Sequence, residues 1–179
     1  MSALQCPARV YLARHGEATY ETGRVRDGDG QLTPAGRAQA RSLAEALRGA
    51  RIARVWTSPL ARAVQTAEIV AGVLGVDVVV RQGLREYGAS ARAGGHAEGS
   101  EDVEARMRAV LQEAADEHRG EAVLVVSHAG AVMAAVPPLV GLPQGPGPGV
   151  MLGSCGVVEL EADGEAWQII SWDAETYPG

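Results

Sequence analysis

The run Ala122-Val123-Leu124-Val125-Val126 constrains the fold more than any other feature of this chain. Five apolar residues in a row leave a β-strand no polar face to turn toward water, so such a strand must be covered on both sides. The rest of the sequence supplies partners and covers. Val10 to Ala13, Val55 to Thr57 and Val76 to Val80 read as further short strands. Thr33-Pro34 predicts a helix start, with Thr as N-cap and Pro at the first helical position, over a stripe of Ala35, Ala38, Leu43, Ala46 and Leu47 that ends before Gly49. Ser58-Pro59 predicts a second start of the same kind, with Leu60, Val64, Ala67, Ala71 and Leu74 at helical spacing and Gly75 closing it. Ser100 predicts a third cap, above a buried face of Val103, Met107, Val110, Leu111 and Ala114. A short helix is expected after Gly130, stopped by Pro137-Pro138, and then a hairpin of Val157 to Glu161 and Trp167 to Trp172 turning near Asp163-Gly164. Strands that alternate with helices predict a three-layer α/β/α sandwich with a mostly parallel central sheet, here as one domain over residues 1–179.

Composition narrows the class. Hydrophobic residues make up 46% and charged residues 21%, which is ordinary for a globular protein, and the net charge of −6 argues against a nucleic-acid surface. No run is long enough to span a bilayer, and Met1 to Arg9 carries no apolar signal core. Cys6 and Cys155 are too few for a disulfide scaffold and lack a paired metal-ligand spacing. The expectation is a cytoplasmic protein, with neither nucleic acid nor membrane as partner.

In open α/β sheets, ligands bind beyond the carboxyl ends of the strands. Arg14-His15-Gly16, Ser58 to Arg62 and Ser127-His128 all fall at such ends. Each residue alone has a plain reading: an exposed or structural histidine, a solvated arginine, a histidine hydrogen-bonded to a loop carbonyl. Position favours function. Gly16 permits close approach of backbone to a ligand, and Arg14 offers a planar fork that suits phosphate oxygens. Arg62 sits in the first turn of its helix, where a cation is unfavourable unless it faces an anion. Glu86 is either a surface carboxylate or a proton donor. Together, two histidines, two arginines and one carboxylate form a phosphoryl-transfer set. A neutral imidazole attacks phosphorus, cations offset charge on the equatorial oxygens, and a carboxylic acid protonates the leaving oxygen before activating water.

The order of these pieces resembles the histidine phosphatase superfamily, the phosphoglycerate-mutase-like fold. The matching segments are Arg14-His15-Gly16-Glu17, the stretch from Gln31 to Ala40, Thr57-Ser58-Pro59-Leu60-Ala61-Arg62 and onward to Glu68, Leu84-Arg85-Glu86, Gly99-Ser100-Glu101, and Val125-Val126-Ser127-His128-Ala129-Gly130. The resemblance implies His15 as nucleophile, Glu86 as proton donor and acceptor, and Arg14, Arg62 and His128 around the phosphate. It implies no metal and no organic cofactor. Three features depart from the family pattern. Glu21 stands where members often carry an asparagine near a phosphate oxygen, and its carboxylate would repel phosphate unless it turns outward. The Gly/Asp/Arg-rich loop from Gly23 to Gly30 is shorter than usual, so neither Arg24 nor Arg26 is assigned a role, and the lid after Glu86 is short, from Gly88 to Gly99. A short lid makes mutase activity unexpected. It suits an open pocket for a small phosphorylated metabolite or a phosphoprotein side chain such as phosphohistidine.

Three other readings compete. A non-catalytic phosphate-binding or interaction protein on the same fold would draw support from Glu21 and the reduced lid. A serine hydrolase lacks a Gly-x-Ser-x-Gly elbow, and Ser154-Cys155 does not supply one. A nucleotide-binding protein would need Gly145 to Gly149 to lie between a strand and a helix, and no Walker-type lysine follows. The histidines at 15, 96, 118 and 128 show no metal-ligand spacing. Arg81, Arg85 and Arg92 near the mouth read first as solvated surface charges and second as cations for an anionic substrate.

Overall fold

The computed structural model describes residues 6–23, 30–88, 98–143 and 150–176. Along these residues come β1 (Ala8–Arg14), α1 (Pro34–Ala46), β2 (Ile52–Thr57), α2 (Ala61–Leu74), β3 (Val78–Val80), α3 (Ser100–Glu117), β4 (Ala122–Ser127), α4 (Ala129–Leu139), β5 (Val150–Leu152), β6 (Val157–Asp163), β7 (Ala166–Trp172) and β8 (Ala174–Thr176). Six strands make one sheet in the order β3-β2-β4-β1-β6-β7, and β5 pairs separately with β8. The first four run parallel, while β6 and β7 add an antiparallel edge.

Every residue of β4 is buried, as its apolar run requires. Val123 and Val125 enter the core beneath α3 and α4, while Leu124 and Val126 enter the core beneath α1 and α2. This period of two makes β4 the middle of three layers. Its neighbours β1 and β2 are parallel to it, so three carboxyl ends emerge side by side: Arg14 is in register with Ser127, and Thr57 with Val126.

Helix positions follow the sequence, with local differences that have physical causes. Thr33 caps α1 and its hydroxyl accepts the Gly36 N–H at 3.0 Å. The buried face of α1 is Gly36, Ala40, Leu43 and Ala44, continued by Leu47, and Ala35, Ala38 and Ala46 are exposed. The leucines orient the helix, and alanines follow whichever face remains. Ser58 does not cap α2, which starts at Ala61. Its backbone N–H instead bonds the Val126 carbonyl at 3.0 Å, so Ser58 extends the sheet, and its hydroxyl accepts the Leu60 N–H at 3.3 Å. Val76 is held in the carboxyl turn of α2 through the Ala71 carbonyl, which shortens β3 to Val78–Val80. Gly99 rather than Ser100 precedes α3, and the Asp102 carboxylate accepts its N–H at 2.9 Å. The buried face of α3 contains all five expected residues. Pro137 and Pro138 are taken into the last turn of α4, so the helix ends at Leu139 rather than before them. The hairpin turns at Gly164, whose φ of +63° is the left-handed conformation that glycine adopts without penalty. The loop readings at 24–29, 89–97 and 144–149, with Arg24, Arg26, Arg92 and His96, lie outside the described residues.

Candidate active site

His15 leaves β1 next to β4, and its own N–H bonds the Ser127 carbonyl at 3.1 Å. The side chain is 1% exposed. Its Nδ1 lies 2.7 Å from the Gly16 carbonyl. A carbonyl only accepts, so Nδ1 carries the proton and the lone pair resides on Nε2. Arg62 Nε donates to that Nε2 at 3.1 Å, and the Tyr20 hydroxyl lies 3.5 Å from it. Burial, with Arg62 and Arg14 adding their charge, lowers the His15 pKa from 6.5 to about 3. The imidazole is therefore neutral, oriented and presented through one nitrogen.

Close backbone packing fixes this geometry. A Cβ on Gly16 would lie 2.5 Å from the Gly36 carbonyl oxygen, and one on Gly36 would overlap the Glu17 carbonyl. Only glycine at both positions lets the His15 loop rest on the first turn of α1. Thr66 of α2 ties the same loop from the other side, accepting the Gly16 N–H at 3.1 Å and donating to the Arg62 carbonyl at 2.8 Å.

His128 precedes α4 and is fully buried. Its ring lies 5.2 Å from that of His15, and its Nε2 is 2.8 Å from Ser58 Oγ. Its Nδ1 is buried without a hydrogen-bond partner. Burial first, then the neighbouring His15 and the arginines, push its pKa well below 6.5. Arg14 shares the same region. Its Nη1 donates to the Leu152 carbonyl at 3.0 Å, its Nη2 pairs with Glu21, and its Nε is also buried without a partner. Unsatisfied buried polar groups are costly. Two of them beside a neutral imidazole and two guanidinium groups mark a seat for an anionic ligand rich in acceptor oxygens.

Glu86 borders this seat from the β3 side. Its Oε1 accepts N–H groups from Tyr87 at 2.7 Å and from Ala131 in the first turn of α4 at 3.0 Å. The Tyr20 hydroxyl links this carboxylate electrostatically to the rest: its pKa is raised, chiefly by burial, with Glu21 and Glu86 adding to the rise against the lowering effect of Arg62 and Arg14. Arg106 of α3 holds the Glu86 segment. It donates to the carbonyls of Gly83 and Arg85, both at 2.7 Å, and to that of Glu86 at 3.3 Å, while Glu98 accepts from it at 2.6 and 2.9 Å. Ser127 Oγ adds a bond to the Leu84 carbonyl at 2.9 Å.

The structure thus brings His15, Arg14, Arg62 and His128 together at the ends of β1, β2 and β4, with Glu86 at the rim. Sequence reasoning missed Tyr20, Ser58 as a partner of His128, and Arg106. Tyr20 carries no pattern of its own. Ser58 was masked by its fitness as a cap, and Arg106 by the charged stretch around it, although it directly precedes the buried Met107. Arg81 is not a site cation: it pairs with Glu113 at 2.9 Å and lies 4.4 Å over the Trp56 ring. His118 is likewise structural, accepting from Trp56 Nε1 at 3.4 Å. Among the described residues, no three His, Cys, Asp or Glu side chains come together as a cation site, and no helix is long and apolar enough to cross a membrane.

Comparison with known proteins gives concordant results. The family model described as histidine phosphatase superfamily (branch 1) matches residues 10–98 and 88–175. A Photorhabdus laumondii protein named "Probable phosphoglycerate mutase GpmB" is 30% identical over 94% of this chain and 91% of its own length. Among solved structures, the mycobacterial glucosyl-3-phosphoglycerate phosphatase in complex with VO3 is 27% identical, with a TM-score of 0.77 over 93% of this chain and 99% of that one. YhfR of Bacillus stearothermophilus is 25% identical, with a TM-score of 0.78 over 91% and 95%.

Proposed function

This chain belongs to the histidine phosphatase superfamily, and from that membership we propose that it is a metal-independent phosphatase acting through a phosphohistidine on His15. The observation that carries the proposal is the His15 imidazole, held neutral with its Nε2 lone pair facing the Arg62 guanidinium. In the first step Nε2 attacks phosphorus, the N–P bond forms, and the bond to the leaving oxygen breaks. Glu86 supplies the proton that this oxygen takes up. In the second step water attacks phosphorus, Glu86 receives its proton, and the N–P bond breaks to release phosphate and neutral His15. Arg14, Arg62 and His128 stabilise the equatorial oxygens throughout, so fixed guanidinium charge does the work a metal ion does in other phosphatases.

The substrate class is a phosphomonoester of a small metabolite or the phosphohistidine of a protein. A structure of the mycobacterial phosphatase with inorganic phosphate, 26% identical to this chain, supports a phosphate-binding role for the shared site. The name of the Photorhabdus relative raises mutase activity as an alternative product outcome. We favour hydrolysis on the short segment after Glu86, most of which lies outside the described residues. Interconversion of phosphoglycerates followed by NMR decides between the two. A cytoplasmic location fits the two unpaired cysteines, Cys6 and Cys155, and cell fractionation tests it.

The test of the main proposal is phosphate release from para-nitrophenyl phosphate with chelator present. Wild type is expected to turn over and His15→Ala to be inert. The pairing of Glu21 with Arg14 favours one second reading, a phosphate-binding protein without turnover. Phosphate affinity with no hydrolysis of any ester would select it.

A further inference from the structure

The short 3-10 turn Thr19–Thr22 fills the anion seat with the protein's own groups. Glu21 presents one carboxylate oxygen to Arg14 Nη2, and its other oxygen accepts the Ala18 N–H at 2.7 Å. Arg14 cannot simply turn away, because Nη1 is anchored to the Leu152 carbonyl. The side chains of Arg14 and Glu21 are only 13% and 21% exposed, so solvent and salt screen the pair weakly. The adjacent Tyr20 brings its hydroxyl to His15 Nε2 and its ring to 5.0 Å from the Arg62 guanidinium carbon. One turn therefore covers both arginines on the side where phosphate oxygens must arrive.

We propose that Glu21 is an internal competitor for the phosphate seat: it occupies Arg14 in the free protein, is displaced when a phosphoester binds, and returns to displace the product phosphate. This rests on the phosphate site described under Proposed function. Its consequence is a uniform loss of apparent affinity. A ligand that binds only the open form loses apparent affinity in proportion to how rarely that form is populated. Inorganic phosphate and phosphoesters meet the same loss, so Glu21 raises the concentration of either that is needed to fill the seat and leaves the preference between them unchanged.

The test is calorimetric binding of inorganic phosphate to wild type, Glu21→Gln, Arg14→Gln and the double variant, at one pH and ionic strength. Glutamine keeps the acceptor for Ala18 and removes the charge. We expect Glu21→Gln to bind phosphate roughly three- to tenfold more tightly than wild type. The same change on the Arg14→Gln background should bring no tightening, since the contested cation is gone. Glu21→Gln that binds phosphate equally or more weakly overturns the inference, and so does an equal tightening on the Arg14→Gln background, which marks a general charge effect rather than competition for Arg14. Tighter binding in Glu21→Gln without turnover of any ester leaves the inference standing and removes the phosphatase assignment. No phosphate binding by any variant removes both.

Discussion

The inner wall of the site and its mouth are built on different principles. On the wall, His15, Arg62 and His128 are at most 3% exposed and come directly from the ends of adjacent parallel strands or the first turn of α2. Their positions follow from sheet register, and burial keeps the two histidines neutral. At the mouth, Glu86 and the Thr19–Thr22 turn are half-buried or exposed and are held by a few polar ties, through Arg106, Ala131 and Arg14. The contrast teaches where the proposed chemistry divides: on that proposal the wall makes the bond to phosphorus, while the mouth governs how fast the leaving oxygen departs.

The largest expected effect comes from the wall. Arg62→Ala removes both a phosphate cation and the donor on His15 Nε2, and kcat should fall by about 10²–10³ whatever the leaving group. Steady-state kinetics with a graded series of aryl phosphates checks this, and a strong dependence on the leaving group would blur the division. At the mouth the dependence should appear. Glu86→Gln should slow alkyl phosphates by about 10–10² and para-nitrophenyl phosphate little, because only a poor leaving group needs the proton. Arg106→Met should reproduce that signature more weakly, about fivefold on alkyl phosphates, and add nothing to Glu86→Gln, since both act through one carboxylate. Melting curves separate this from simple unfolding. Gly130→Ala should have a smaller effect in the same direction, because its new Cβ would lie 2.7 Å from the movable Glu86 Oε1.

Acid separates the two regions in another way. His15 takes a proton near pH 6.5 when unfolded but only near pH 3 when folded. Below pH 6.5 the unfolded chain therefore binds more protons, and the stability that His15 contributes above pH 6.5 is lost progressively as the pH falls toward 3. His128 shifts in the same direction. Urea unfolding between pH 7 and 4 should show this decline, and replacing His128 by Gln should flatten it.

Legibility in the sequence follows the same division. The strands and the residues at their ends were readable because β4 has no polar face and because Arg14-His15-Gly16 and Ser127-His128 terminate strands. Helix identity was readable too, but the start of α2 was not: Ser58-Pro59 satisfies the local rule for a cap, and the sheet bond to Val126 outcompetes it. The mouth was least readable. Glu21 looked like a repulsive intruder, whereas the fold gives its charge to Arg14. Arg106 supports Glu86 through backbone carbonyls, which carry no residue-specific signal.

The central claim is that a phosphoryl group passes through His15 Nε2, and the most direct test is mass spectrometry of protein quenched in alkali during turnover of a good substrate. The account predicts a phosphoryl group on the peptide containing His15 that is stable in alkali, lost in acid and absent from His15→Ala. Turnover that persists in His15→Ala, or a phosphoryl group on another residue, would contradict it.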